Sequence, residues 1–154
     1  FALKYVDDFE VIDPPTIEKE GYIELLYRID KPYLTATLDG RLVDKHSGKK
    51  GFIEVKTADV IKNVSKEKWT DGVPDNYYDQ ILHYFVVNPE FEFCVLVALL
   101  SYRTKDGDDR ATLRSYLFTR ELCKHDIANL EDAETYYWEH YVTKNIEPPL
   151  RIGI

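Results

Sequence analysis

The chain is 154 residues long, 44% hydrophobic and 31% charged, with a formal net charge of -8. Those values describe one globular domain with a sizeable core rather than a disordered chain, and they argue against a generic basic nucleic-acid coat while leaving a nucleic-acid enzyme open. No apolar run approaches the roughly 20 residues of a membrane span, and no basic-then-apolar leader opens the chain. The two cysteines, Cys94 and Cys123, are too few for a disulfide framework or a zinc or iron–sulfur centre. A reducing, cytoplasmic setting is expected. The chain begins on Phe1 and holds no Met, so its natural start is expected upstream, and residues 1–154 are read as a single domain lacking an N-terminal region.

In chain order, VIDPPTIEKEG (residues 11–21) is a Pro-punctuated connection. YIELLYRID (22–30) reads as a strand, with helix as the alternative. In YLTATLDGRLV (33–43), Leu34, Ala36 and Leu38 alternate with Thr35, Thr37 and Asp39 at the strand period. The polar DKHSGKKG turn joins it to FIEVKTA, predicting a hairpin. A loop with a short helix is expected from Ile61 to Gly72, then a helix over VPDNYYDQILHYFVV (73–87) with Asp75 as N-cap. FEFCVLVALLSY (91–102) has the continuous apolar character of a central strand covered on both faces, and places Cys94 in the core. After DGDD, ATLRSYLF (111–118) returns as a strand, and a helix is predicted from about Arg120 to Tyr141. The sum is an α/β or α+β fold, a mixed sheet with helices packed on it.

GFIEVKTA (51–58) carries the chemistry. Residues two apart share a strand face, so Glu54 and Lys56 point one way with Phe52, while Ile53, Val55 and Thr57 point the other, with Ile53 and Val55 expected to pack into the core. Across the hairpin, Asp39 can approach Glu54, with Gly40 supplying turn freedom. Two converging carboxylates repel unless a hard cation such as Mg²⁺ or Mn²⁺ lies between them, and a neighbouring lysine can orient a water or stabilise phosphoryl charge. The residues alone leave a solvated ion pair and a metal site as open alternatives. Tyr77, Gln80 and Tyr84 share one face of the predicted helix, where Gln80 reads either as a ligand for water or phosphate or as an ordinary polar position. His83 reads as a hydrogen-bonded structural residue rather than a base. His46, His83, His125 and His140 lack zinc-ligand spacing, HSGKKG is neither a Walker loop nor a dinucleotide turn, the NVS at Asn63 carries no meaning in a cytoplasmic chain, and TYYWEHY reads as packing rather than a base-stacking platform.

ATLDG (36–40), GFIEVKTA (51–58) and VPDNYYDQILHY (73–84), in that order, resemble the YqaJ-type phage recombination exonucleases, relatives of lambda exonuclease in the PD-(D/E)XK nuclease superfamily. The resemblance covers roughly residues 30–100. It implies a restriction-endonuclease-like core and Mg²⁺-dependent (or Mn²⁺-dependent) hydrolysis of linear double-stranded DNA from the 5′ end. By the same resemblance, Asp39, Glu54 and the carbonyl of Val55 hold the metal, Lys56 positions the attacking water, and Gln80 with Tyr77 belongs to the helix motif that meets substrate. Relatives form rings, often trimers, and work with a single-strand annealing protein. The family's upstream acidic helix and anion-binding motif are not found here, and Phe1–Lys4 is similar to the tail of that helix. An end-independent endonuclease on the same core and a non-catalytic DNA-binding or assembly module are the alternatives. A CRISPR-associated relative is disfavoured because it would need four cluster cysteines.

Overall fold

A computed structural model of the chain describes residues 8–12, 16–17, 22–23, 25–60, 69, 72–104 and 106–149. The expectations for Phe1–Lys4, for most of the Ile61–Gly72 segment and for Asn63 fall outside the described residues. The principal sheet contains β1 (Phe9–Ile12), β6 (Gly40–Asp44), β7 (Lys50–Asp59), β8 (Phe93–Arg103) and β9 (Asp109–Thr119), in that spatial order. Two short ribbons precede β6 in the chain: β2 (Thr16–Ile17) with β3 (Tyr22–Ile23), and β4 (Leu26–Tyr27) with β5 (Thr35–Ala36). Helix α1 (Asp75–Val87) lies between β7 and β8, and α2 (Arg120–Tyr137) follows β9, continuing into a wide π turn at Trp138–Val142.

The expected hairpin is present as β6 and β7, antiparallel with Gly40 opposite Ile53 and Val43 opposite Lys50. Its turn is closed by Asp44, whose Oδ1 accepts from the His46 N–H at 2.8 Å and whose Oδ2 accepts from the Ser47 hydroxyl at 2.7 Å. β7 then pairs in parallel with β8, from Gly51 opposite Phe93 to Asp59 opposite Ser101. A parallel pair cannot be joined by a tight turn, and α1 lies in the connection. β9 closes the far edge, antiparallel to β8. The mixed α/β architecture is therefore as the sequence predicts, but among the described residues of 22–38 the strands are two residues long where longer ones were expected.

The buried residues of both helices belong to one core cluster, with Leu34, Ala36, Leu38, Phe52, Leu96 and Trp69 among its other members. Phe52 is at its centre, edge-on to Tyr84 and Phe85 with ring centroids 5.6 and 5.1 Å away. The opposite face of the sheet holds a smaller cluster of Leu42, Ile53, Phe93, Val95 and Val97. This corrects the expected layering of β7. The Phe52–Glu54–Lys56 face is the one that meets the helices, while on the other face Ile53 is buried and Val55 is 48% exposed. Coverage of β8 on both faces likewise holds for Phe93–Ala98 and ends at the exposed Leu99. Cys94 and Cys123 are both buried as free thiols.

Asp75 is the first helical residue of α1 rather than its cap. Pro74 occupies the cap position, with no side-chain hydrogen bond, and Asp75 instead places its charge in the first turn, where it complements the helix dipole. Arg120 secures the other end of α1: its guanidinium donates to the carbonyls of Phe85 (2.7 Å), Asn88 (2.9 Å) and Phe91 (2.7 Å). The 28–34 turn is tied to α2 by Arg28 and Lys31, each 2.8 Å from Glu131 Oε1, and to the π turn that follows by Tyr33 stacked on Trp138 at 4.5 Å.

Two glycines explain how closely the strands approach. A Cβ on Gly51 would lie 2.6 Å from the Phe93 carbonyl oxygen and equally close to its ring. Gly40 has no positive φ, so its role is not a turn conformation; a Cβ there would meet Ile53 Cγ2 at 2.9 Å. Because the obstacle at Gly51 is backbone as well as side chain, Gly51→Ala is expected to destabilise the fold by about 1–3 kcal/mol, read as a lowered denaturation midpoint in urea; an unchanged midpoint would refute the close packing of β7 on β8.

Candidate functional site

The β6–β7 ladder stops at Gly40 opposite Ile53, although β7 continues to Asp59 along β8. Asp39, one residue before β6 begins, occupies the edge that is left. Its Oδ2 accepts a hydrogen bond from the Val55 backbone N–H at 2.7 Å. In a strand a residue's N–H and C=O leave by the same edge, so the Val55 carbonyl faces the same gap as the Asp39 carboxylate.

On the helix side of β7, Glu54 is 2% exposed and is the buried charged residue among the described ones. Its Oε1 is 2.5 Å from Lys56 Nζ. Its other oxygen, Oε2, is buried with no hydrogen-bond partner among the described residues. Burial pushes the Glu54 carboxyl above its usual range; the hydrogen bond from Lys56 opposes this, and the nearby charge of Asp39 adds to it. An unpartnered buried carboxylate oxygen beside a second carboxylate is costly in a protein interior.

α1 supplies the opposite wall. Lys56 Nζ donates to Gln80 Oε1 at 2.7 Å, Gln80 Nε2 donates to the Tyr84 hydroxyl at 2.6 Å, and the Lys56 ammonium lies 5.1 Å from the centre of the Tyr77 ring. Tyr77 in turn packs 5.6 Å from buried Trp69, whose carbonyl accepts from Arg114 Nη1 at 2.6 Å. The structure thus gathers Asp39, Glu54, Val55, Lys56, Tyr77 and Gln80 around one corner of the sheet. Tyr84 joins them. It stands on the helical face that the i, i+3, i+7 spacing picks out, but sequence alone gave it no role because its contact runs through Gln80. Burial also raises the Tyr84 hydroxyl above its ordinary range, with Gln80 opposing.

The residues fit a hard divalent cation in their donor chemistry. They offer two carboxylates, one with an unpartnered buried oxygen, and a backbone carbonyl on the same edge. Among the described residues no group of three or more His, Cys, Asp and Glu side chains is gathered for a metal, so a cation here would rest on two carboxylates, the carbonyl and exchangeable oxygens.

Residues 17–89 match the family model of the YqaJ-like viral recombinase domain. Over this stretch the chain is similar to that domain. The stretch includes every residue of the corner just described, whereas β8, β9 and α2, which complete the sheet and the core, lie beyond it. No curated protein matches the chain. No described helix is long and apolar enough to cross a membrane.

The isolated Glu54 oxygen gives a stability test for this corner of the sheet. Glu54→Gln keeps an acceptor for Lys56 and removes the buried carboxylate charge, so the metal-free variant is expected to melt above the wild type, in the usual trade of stability against a charged site. A lower melting temperature would mean that the Glu54–Lys56 pair is a net stabiliser, with no strain held for a ligand.

Proposed function

We propose that the chain is a metal-dependent deoxyribonuclease of the phage recombination type, hydrolysing phosphodiester bonds in linear duplex DNA in the 5′-to-3′ direction. The observation that carries this reading is the meeting of Asp39 and the Val55 backbone with buried Glu54 and Lys56 at the point where the β6–β7 ladder ends. The YqaJ-like match over the same residues supports it.

In this reading Asp39, Glu54 and the Val55 carbonyl hold Mg²⁺ or Mn²⁺. When bound, the ion would supply Lewis-acid polarisation of a phosphate oxygen and a water of lowered pKa. The chain's own residues contribute position and charge. Glu54 Oε1 and Gln80 Oε1 hold two sides of the Lys56 ammonium, which directs its remaining hydrogen-bonding capacity to the attacking water or to negative charge developing on phosphorus. The Tyr77 ring confines that ammonium, and Gln80, fixed by Tyr84, keeps it from following Glu54 alone. The proposed partners are duplex DNA, further copies of the chain in a ring, and a single-strand annealing protein that takes up the strand left by digestion.

Lys56→Ala and Asp39→Asn are each expected to lower the rate of linear-duplex degradation in Mg²⁺ by about 10²–10³-fold or more while preserving the circular dichroism spectrum. Covalently closed circles should survive an incubation that consumes the matched linear DNA, and label at the 5′ end should be released first. Cleaved circles would favour an endonuclease on the same core. Wild-type degradation by Lys56→Ala would sink the assignment, and an absence of calorimetric Mn²⁺ binding would favour a non-catalytic module.

A further inference from the structure

α1 carries a second polar contact, one turn beyond Gln80 and separate from the Lys56 cluster. His83 Nδ1 is 2.6 Å from Glu134 Oε1 on α2, and His83 Nε2 is 2.8 Å from the carbonyl oxygen of Thr35 on β5. A backbone carbonyl can only accept, and so can an ionised carboxylate. Both ring nitrogens must then donate, which describes an imidazolium. Glu134 Oε2 is buried and has no hydrogen-bond partner among the described residues, so His83 is the donor on which that carboxylate depends.

The contact matters because of what Thr35 leads to. β5 is two residues long and pairs only with the two residues of β4, so little ladder fixes the chain between Thr35 and Asp39. Ala36 and Leu38 anchor it by burial, but its backbone is gripped directly at the Thr35 carbonyl. Four residues on, Asp39 receives the Val55 N–H. α1 therefore reaches the site twice: through Gln80 to Lys56, and through His83 to the segment that carries Asp39.

Resting on the nuclease reading above, we propose that His83 is a positioning residue: as an imidazolium clamped between Glu134 and the Thr35 carbonyl, it locks the Asp39 segment against the two helices, and loss of its proton loosens that segment and slows cleavage.

The charged surroundings are consistent with a single dominant partner. From α2, Glu134 faces the ring, while Glu131, one turn earlier, is occupied by Arg28 and Lys31. From α1 the Tyr84 ring lies beside it, with ring centroids 6.2 Å apart. β5 contributes only Thr35 and Ala36, neither of which titrates. The hydrogen bond to Glu134 raises His83 above the ordinary histidine range; burial opposes it, and the Thr35 carbonyl adds to it. The sign follows from linkage: a raised folded-state pKa gives a stabilisation that is complete below the unfolded value of about 6.5 and is lost as pH rises through the folded value. The clamp is thus closed on the acid side and opens on the alkaline side.

Nitrogen-15 NMR of the full chain tests this directly. His83 should show two protonated ring nitrogens at neutral pH, and the amide signals of Thr37, Asp39 and Val55 should shift with the same midpoint as the ring. Glu134→Gln should move the His83 midpoint and the alkaline limb of the cleavage profile on linear duplex to lower pH by equal amounts. His83→Gln should lower kcat by about tenfold with KM for DNA unchanged, in line with small misplacements of a catalytic group, and should flatten the alkaline limb. A neutral ring at pH 7 in the wild type overturns the proposal, as does a limb that stays put when Glu134→Gln moves the ring. If the wild type cleaves no DNA, the nuclease reading fails by itself, and the amide titration decides the clamp: co-titration of Val55 with His83 upholds it, and an unmoved Val55 refutes it.

Discussion

The hydrogen bond from the Val55 N–H to the Asp39 carboxylate is the contact around which the rest is arranged. An antiparallel ladder normally continues until one strand bends away and water takes over its backbone groups. Here β6 starts only at Gly40, and the next donor on β7 is met by a side chain in place of a backbone carbonyl. That substitution brings a carboxylate to the edge of β7 while the parallel pairing with β8 keeps the strand straight on its other edge. Moving β6 one residue along would exchange every inward and outward side chain, so the close approach of Gly40 to Ile53 fixes the chemistry as well as the packing.

Charge burial follows from the same geometry. Phe52, Glu54 and Lys56 share the face on which both helices pack, so Glu54 enters the larger apolar cluster among the described residues, two residues from the fully buried ring of Phe52. An ion pair in such a place stabilises little, because desolvation offsets most of the attraction. Its persistence is better understood as orientation: Lys56 is held between Glu54 and Gln80, and Gln80 is held by Tyr84. The hydrophobic contacts of Ile81 and Phe85 on the buried side of α1 provide the stability that this polar cluster does not.

Much of this was legible in the sequence, for reasons that can be named. The hairpin follows from alternation on both sides of a polar turn, and a hairpin with so short a turn lets Asp39 approach Glu54. Spacing along α1 placed Tyr77, Gln80 and Tyr84 on one face. What alternation cannot say is which face of a strand the helices will cover. Ile53 and Val55 are the more apolar pair, yet the core formed on the side of Glu54, and Val55 was left half-exposed. Asp75 looked like a cap, but Pro74 already has the extended backbone angles of that position. His83 could be read as a hydrogen-bonded structural residue but its partners could not, since Glu134 and Thr35 are 51 and 48 residues away from it and meet it only when α1 lies between α2 and β5.

The chain of bonds from Lys56 to Gln80 to Tyr84 also has a direction. An ammonium can only donate, which obliges the Gln80 amide to turn its oxygen toward Lys56 and its nitrogen toward Tyr84. The phenol oxygen, having accepted, still has its own proton to give. Three side chains are thereby set as a one-way series of donors with no rotational ambiguity. Replacing Gln80 by an isosteric glutamate would leave two acceptors where the series needs an acceptor and a donor, and the phenol would have to reverse its role.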